Sequence, residues 1–72
     1  MKIPRNLSLI KFDTSNLDEK YIKQYPFKPT ETMVYLGEIP NMNGHCVIAR
    51  QDGTISVGWH IENFRELDED EV

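Results

Sequence analysis

The fold is decided mainly by residues 45–59, which read HCVIARQDGTISVGW. Two runs rich in β-branched residues flank Gln51-Asp52-Gly53, and this arrangement predicts two strands joined by a hairpin. Asp-Gly can form a two-residue type I′ turn, or Gly53 can close a three-residue loop with a G1 bulge. The two alternatives differ in register, and therefore in which side chains lie opposite each other.

The register determines the partner of the single tryptophan. With the two-residue turn, Trp59 lies opposite Cys46. With the three-residue loop, Trp59 lies opposite His45, and Val57 lies opposite Val47. Both alternatives remain open at the level of sequence, because each turn type accommodates Asp-Gly.

We prefer the three-residue loop because it keeps Arg50 opposite Thr54 on the polar face of the hairpin. In either register, the alternation of side chains along a strand puts Ile55, Val57 and Trp59 on one face. We expect that face to form the core.

Further elements are predicted on both sides of the hairpin. Residues 33–39 form a strand, 40–44 a loop, and 60–64 one tight helical turn before a last strand at 65–67. The predicted antiparallel meander therefore covers residues 33–67. Residues 68–72 form an acidic tail, and residues 7–12 form an N-terminal strand.

A short helix is predicted over residues 16–25. Asn16 can cap the first helical amides, and Glu19 stands at the position that completes a capping box. Leu17, Tyr21 and Tyr25 recur at four-residue spacing with Ile22 beside them, so the helix would dock one apolar stripe on the sheet. The helix should end before Pro26, because the residue before a proline is disfavoured in helical conformation.

Composition and length define the class of protein. A chain of 72 residues with 39% hydrophobic and 28% charged residues forms one globular domain, 1–72. The single cysteine excludes an internal disulfide, which favours a reducing, cytoplasmic environment. No apolar run follows the N-terminal basic residues to form a signal peptide, and none spans a membrane, so we expect no membrane partner.

The order of these elements resembles the later part of SH3-like small barrels. The stretch Ile61-Glu62-Asn63-Phe64-Arg65-Glu66-Leu67 is similar to the Pro-Ser-Asn-Tyr-Val segment that forms the single turn and last strand of SH3 domains, with Asn63 and Phe64 at matching positions. The resemblance covers about residues 33–67 and implies a mainly β, β-rich α+β fold, an SH3-like antiparallel barrel with a short N-terminal helix.

The sequence departs from SH3 domains at the positions that bind peptides. SH3 grooves use an acidic, tyrosine-rich early loop and a tryptophan at the start of the middle strand, whereas Trp59 closes the third strand here. Ile61 replaces the proline of the short turn. Binding of proline-rich peptides therefore does not transfer from the resemblance, since a shared fold does not establish a shared function.

The favoured hypothesis is a non-catalytic protein-interaction or regulatory module without a cofactor. Its contact surface combines the 40–46 loop with the segment after Trp59, since longer loops often carry function. An equally good interpretation is that Ile39 and Met42 cap the open end of the barrel. The predicted partner-binding residues are Met42, His45, Trp59, His60, Glu62 and Phe64.

Two other classes of function compete with this hypothesis. Lys20, Lys23, Lys28 and Arg5, interleaved with Tyr21, Tyr25 and Phe27, could bind RNA by tracking phosphates and stacking on bases. The net charge of −4 opposes that interpretation. His45, Cys46, His60 and Glu62 could hold a metal or form a Cys-His hydrolase, but no ligand spacing supports either, so we predict no metal and no enzyme.

Overall fold

The fold is built around strand His45–Ala49, which lies between two other strands of one sheet. The computed structural model describes residues 3–68 and residue 70. In chain order, the elements are β1 (Leu9–Phe12), α1 (Glu19–Ile22), β2 (Thr32–Glu38), β3 (His45–Ala49), β4 (Ile55–His60), a 3₁₀ turn (Ile61–Asn63) and β5 (Phe64–Glu66).

The five strands form a single antiparallel sheet in the order β4-β3-β2-β1-β5. The prediction of a mainly β protein with a short helix is therefore confirmed. Strands β2 to β4 are a meander, whereas β5 leaves β4 through the 3₁₀ turn and pairs with β1. Among residues 3–68 and 70, no helix has the length and apolar character needed to cross a membrane.

The hairpin register near the turn matches the three-residue loop. Val57 lies opposite Val47, and the Arg50 amide donates a 2.9 Å hydrogen bond to the carbonyl of Thr54. Beyond Val57 the register shifts, because Gly58 is an extra residue without a partner on β3. Trp59 consequently lies opposite Cys46, so its predicted pairing with His45 was wrong.

The predicted core face of β4 was also wrong. Ile55 and Val57 are 57% and 61% exposed, and only Trp59 packs against the core. A strict alternation would keep the three side chains on one face, but the bulge at Gly58 reverses the alternation between Val57 and Trp59. The inward face of the hairpin is formed instead by Cys46 and Ile48 of β3, which are fully buried.

The core is apolar and rich in aromatic rings. Phe12 stacks on Tyr25 with ring centroids 4.8 Å apart, and Phe27 meets Trp59 edge-on at 5.4 Å. Such pairs contribute beyond the area that they bury. The buried apolar cluster consists of Ile10, Phe12, Phe27, Met33, Tyr35, Cys46, Ile48, Ile61 and Phe64.

Helix α1 is shorter than predicted, because it covers 19–22 rather than 16–25. Its N-cap is Asp18 instead of Asn16, and no side-chain cap hydrogen bond forms, so the predicted capping box is absent. The rest of the segment is turns and irregular backbone. Leu17, Ile22 and Tyr25 nevertheless pack against the core, whereas Tyr21 of the predicted apolar stripe is 45% exposed.

The other boundaries shift by one or two residues. Strand β1 starts at Leu9, because Leu7 has a φ of 68° that interrupts the extended backbone predicted from residue 7. Strand β5 starts at Phe64, one residue before the predicted start. Of the predicted acidic tail 68–72, residues 69, 71 and 72 lie outside the described residues.

Candidate functional site

The hairpin brings His45 and His60 together, which the sequence left open. They are cross-strand partners, and their ring centroids lie 4.4 Å apart. The Nδ1 atom of His45 lies 3.2 Å from the carbonyl oxygen of Asn43, which orients that ring. The pair marks the end of the β3–β4 hairpin next to the 3₁₀ turn.

Cys46 does not join this histidine pair. Successive residues of a strand point to opposite faces, and the Cys46 side chain lies fully buried on the core side. Burial raises the pKa of the Cys46 thiol to about 11, so the thiol stays protonated at neutral pH. Within residues 3–68 and 70, no group of three or more histidine, cysteine or carboxylate side chains is placed to hold a metal ion.

A groove of about 640 Å³ opens between the 16–25 segment and the end of β4 with its 3₁₀ turn. Its aromatic side chains are Tyr21, Tyr25 and Trp59. The rings of Tyr25 and Trp59 lie 4.6 Å apart, while Tyr21 is 45% exposed at the groove. We call this feature the aromatic groove.

Hydrogen bonds fix the polar atoms of the aromatic groove. The Nδ2 group of the buried Asn63 donates a 2.8 Å hydrogen bond to the Tyr25 hydroxyl. The indole Nε1 group of Trp59 donates to Oγ of Ser56 at 2.5 Å. Since Tyr25 also stacks on the buried Phe12, the floor of the groove is held in place by the core.

The aromatic groove is acidic. Asp18 and Glu62 both line it and are exposed, while none of the lining residues that the structure describes is a lysine or arginine. A basic group lies nearby, since the Lys20 ammonium is 5.0 Å from the ring centroid of Tyr21. A second, more polar groove of about 470 Å³ shares Asn16 and Glu62 with it. Carboxylates outnumber the basic side chain there, because its other charged lining residues are Arg65, Glu66 and Asp68. The combined surface favours a ligand that presents positive charge beside apolar groups.

The structure separates the predicted partner-binding residues. Trp59, His60 and Glu62 line the aromatic groove. Met42 is exposed in the 40–44 loop, and neither Met42 nor His45 lines the groove. Phe64 is 4% exposed and packs against Phe12 and Phe27 in the core, so it is not available at the surface for a partner.

Sequence reasoning missed Asp18, Tyr21, Tyr25 and Asn63 as groove residues. The four-residue spacing of Tyr21 and Tyr25 was interpreted as a stripe that docks on the sheet, which describes Tyr25 only in part. The signal available in the sequence was the presence of the aromatic residues Tyr21 and Tyr25 shortly after the acidic residue Asp18. They could not be assigned to a groove without knowing that the 3₁₀ turn lies opposite.

The residues proposed for RNA stacking are mostly engaged in the fold. Phe27 is buried, and Tyr25 lies between Phe12 and Trp59. Arg5 forms a 3.1 Å ion pair with Glu66. The ammonium group of Lys20 lies 5.0 Å from the ring centroid of Tyr21, which is the only exposed aromatic ring of the set.

Comparison with known proteins gives no relative. No protein-family model, no curated protein and no solved structure matches this chain significantly. The resemblance to SH3-like barrels therefore stays a prediction from the order of the elements.

Proposed function

We propose that this protein is a small, cytoplasmic, non-catalytic protein-interaction module with an SH3-like fold. Its aromatic groove holds an extended segment of a partner protein that carries a basic side chain next to an apolar one. The observation that supports the proposal is the composition of the groove: three aromatic side chains on a floor fixed by the core, bordered by Asp18 and Glu62, with no lysine or arginine among the described lining residues.

Each part of the groove has a role in this proposal. Tyrosine and tryptophan supply rigid contact area at low cost in side-chain entropy, and they are frequent among the residues that dominate binding energy. The exposed carboxylates of Asp18 and Glu62 attract the basic side chain and disfavour acidic partners. The same carboxylates repel phosphate backbones, which favours a peptide over RNA.

The pairing of β5 with β1 supports the fold part of the proposal. It places the 3₁₀ turn and Asn63 beside the 16–25 segment, which is how one wall of the groove comes to face the other. The 40–46 loop, with Met42 and His45, is a second surface that the same partner would contact only if it extended beyond the groove.

Two exposed residues provide a matched test of the site. Tyr21 and Met42 are both 45% exposed, but only Tyr21 lines the groove. Peptides selected from a random display library on the wild-type domain are expected to contain arginine or lysine beside proline, aliphatic or aromatic residues. Tyr21→Ala should weaken the selected peptides about tenfold, equivalent to about 1.4 kcal/mol.

The controls distinguish the groove from other surfaces. Met42→Ala should leave the dissociation constant unchanged, and Glu62→Gln should weaken arginine-containing peptides more than versions with citrulline in place of arginine. Weakened binding in Met42→Ala with full binding in Tyr21→Ala would move the site to the 40–46 loop. Selection of acidic peptides, or salt-sensitive retention of single-stranded RNA in place of peptides, would contradict the proposal.

A further inference from the structure

Within residues 3–68 and 70, the outer edge of β4 has backbone groups without a strand partner. The sheet ends at β4, which pairs with β3 on its other side only. The Arg50 amide bonds to the carbonyl of Thr54, so the alternation of antiparallel pairs makes Val47–Val57 and Ala49–Ile55 non-hydrogen-bonded pairs. The N–H and C=O groups of Ile55 and Val57 therefore point away from β3, toward the open edge.

Apolar side chains surround this open edge. Ile55 and Val57 are more than half exposed, and their cross-strand partners Ala49 and Val47 are half-buried on the same outer face. We call these four residues the edge patch. Natural proteins usually protect edge strands with charges, prolines or bulges.

The two edges of the sheet differ in this protection. Strand β5 carries Arg65 and Glu66 among its three residues. Strand β4 reads Ile-Ser-Val-Gly-Trp-His, with no lysine, arginine, carboxylate or proline, and its bulge at Gly58 lies beyond the Ile55–Val57 stretch. An apolar, uncharged edge with open hydrogen-bonding groups is a surface for another strand.

The backbone pattern of the edge is complementary to a second copy of this chain, because Ile55 and Val57 both have open groups and can pair with Val57 and Ile55 of the other copy. The net charge of −4 on each copy opposes association in general, but the edge patch itself carries no charge. Antiparallel pairing also brings the loop of one copy, with the Asp52 carboxylate, toward the end of β4 that holds His60 in the other. An imidazole N–H can donate to a carboxylate there.

We propose that two copies form a symmetric dimer by antiparallel pairing of their β4 strands. With Ser56 on the twofold axis, Ile55 of each copy lies opposite Val57 of the other, and both residues of each pair have their backbone groups open. Each pair then exchanges its two N–H···O=C bonds, and the four apolar side chains meet on one face. The contact uses the same patch on both copies, as a twofold axis requires.

Sedimentation equilibrium tests the dimer directly. Wild-type protein, followed in a concentration series up to about 1 mM, should approach twice the 8.4 kDa mass of one chain. Val57→Lys should raise the dimer dissociation constant at least tenfold, because a lysine on an edge strand opposes pairing. The control is Leu7→Lys, since Leu7 is 74% exposed elsewhere on the chain and its replacement should leave the dimer intact.

A second variant and a second readout keep the test independent of folding defects. Val57→Pro removes the outward amide without touching the bonds to β3, so circular dichroism should show a folded protein that sediments as a monomer. In the wild type, the amides of Ile55 and Val57 should exchange with solvent more slowly as concentration rises. A wild type that stays monomeric, or a dimer that both Val57 variants leave unchanged, would overturn the proposal.

Discussion

At Gly58 the backbone adopts a φ of 88°, a conformation that residues with a β-carbon rarely adopt. This residue has no partner on β3, and it separates the outward Val57 from the inward Trp59. The aromatic groove depends on it, because a regular strand would keep Trp59 on the outer face with Val57.

Substitution of Gly58 tests this role. A β-carbon at Gly58 would meet no other atom within 4 Å, so Gly58→Ala carries only the conformational cost of the left-handed region, about 1–2 kcal/mol. Gly58→Asn should cost less, since asparagine tolerates positive φ better than alanine does. Urea unfolding measures both, and equal stability of the alanine variant and the wild type would contradict the assignment of the bulge.

Arg50 connects the hairpin to the segment before β2. Its guanidinium donates hydrogen bonds of 2.8 and 3.0 Å to the Glu31 carboxylate and one of 3.2 Å to the carbonyl of Pro26. It also lies 5.1 Å from the ring centroid of Phe27. Arg50 was expected on a polar face with Thr54, but in the structure it covers the edge of the aromatic core.

The Arg50–Glu31 pair predicts a pH dependence of stability. Hydrogen bonds from Arg50 hold the pKa of Glu31 below its ordinary value of 4.5. A carboxyl with a lowered pKa in the folded state stabilises the fold above the unfolded pKa and loses that contribution as the pH falls through the folded pKa. The wild type should therefore exceed Glu31→Gln in stability near neutral pH, and the difference should vanish in acid.

Thermal unfolding across a pH series checks this prediction. Arg50→Lys provides the control, because lysine keeps the charge but cannot form the two-pronged contact with a carboxylate. It should therefore lose part of the same pH-dependent stability. A wild-type advantage over Glu31→Gln that is constant from neutral pH into acid would contradict the assigned cause of the pKa shift.

At the scale of elements, the hairpin shows what the sequence predicts well and where it fails. The hairpin turn around Gly53 was predicted from Asp-Gly, and the register preferred for it, with Arg50 opposite Thr54, is the one found near the turn, although the sequence left the two-residue alternative open. The sequence did not predict which face of each strand points to the core. On β3, the face with residues 46 and 48 and the face with residues 47 and 49 are both apolar enough to form a core. The alternation of side chains alone predicted the wrong core face for β4. The correct facing depends on the bulge at Gly58, and that bulge is defined only by the pairing of β4 with β3.

Matched substitutions on the two strands test the facing. Ile48 is fully buried, whereas Ile55 of the adjacent strand is 57% exposed. Ile48→Ala should destabilise the protein by about 2–5 kcal/mol through lost burial and the cavity left behind. Ile55→Ala should change stability by no more than about 0.5 kcal/mol when measured on the monomer at low concentration. Equal losses in the two variants would contradict the observed orientation of the hairpin.

The 16–25 segment explains why the site was harder to predict than the fold. Its apolar spacing correctly predicted that Leu17, Ile22 and Tyr25 pack on the core. The same pattern concealed that Tyr21 stays exposed and that Asp18 borders a groove. A groove needs two walls, and the second wall lies some forty residues later in the chain, at Trp59 to Asn63.

At the scale of the whole molecule, the two proposed surfaces adjoin at His60, which lines the aromatic groove and would face Asp52 of the second copy. The aromatic groove uses the end of β4 from Gly58 onward, whereas the edge patch uses Ile55 and Val57 at its beginning. A dimer would therefore present two grooves at once and bind a partner with repeated segments more tightly than a monomer could. A chain of 72 residues has a small core, and dimer formation would also stabilise it by mass action.

The most direct test of the central claim is a two-dimensional NMR titration of the ¹⁵N-labelled protein with a selected arginine-containing peptide. Trp59 is the single tryptophan, so its indole N–H gives one assignable signal from a ring that lines the groove. We predict that this signal and the amides of Asp18, Tyr21 and Asn63 shift most, in proportion to the bound fraction. Largest shifts in the 40–46 loop or along β1 and β5, with an unchanged indole signal, would contradict the account.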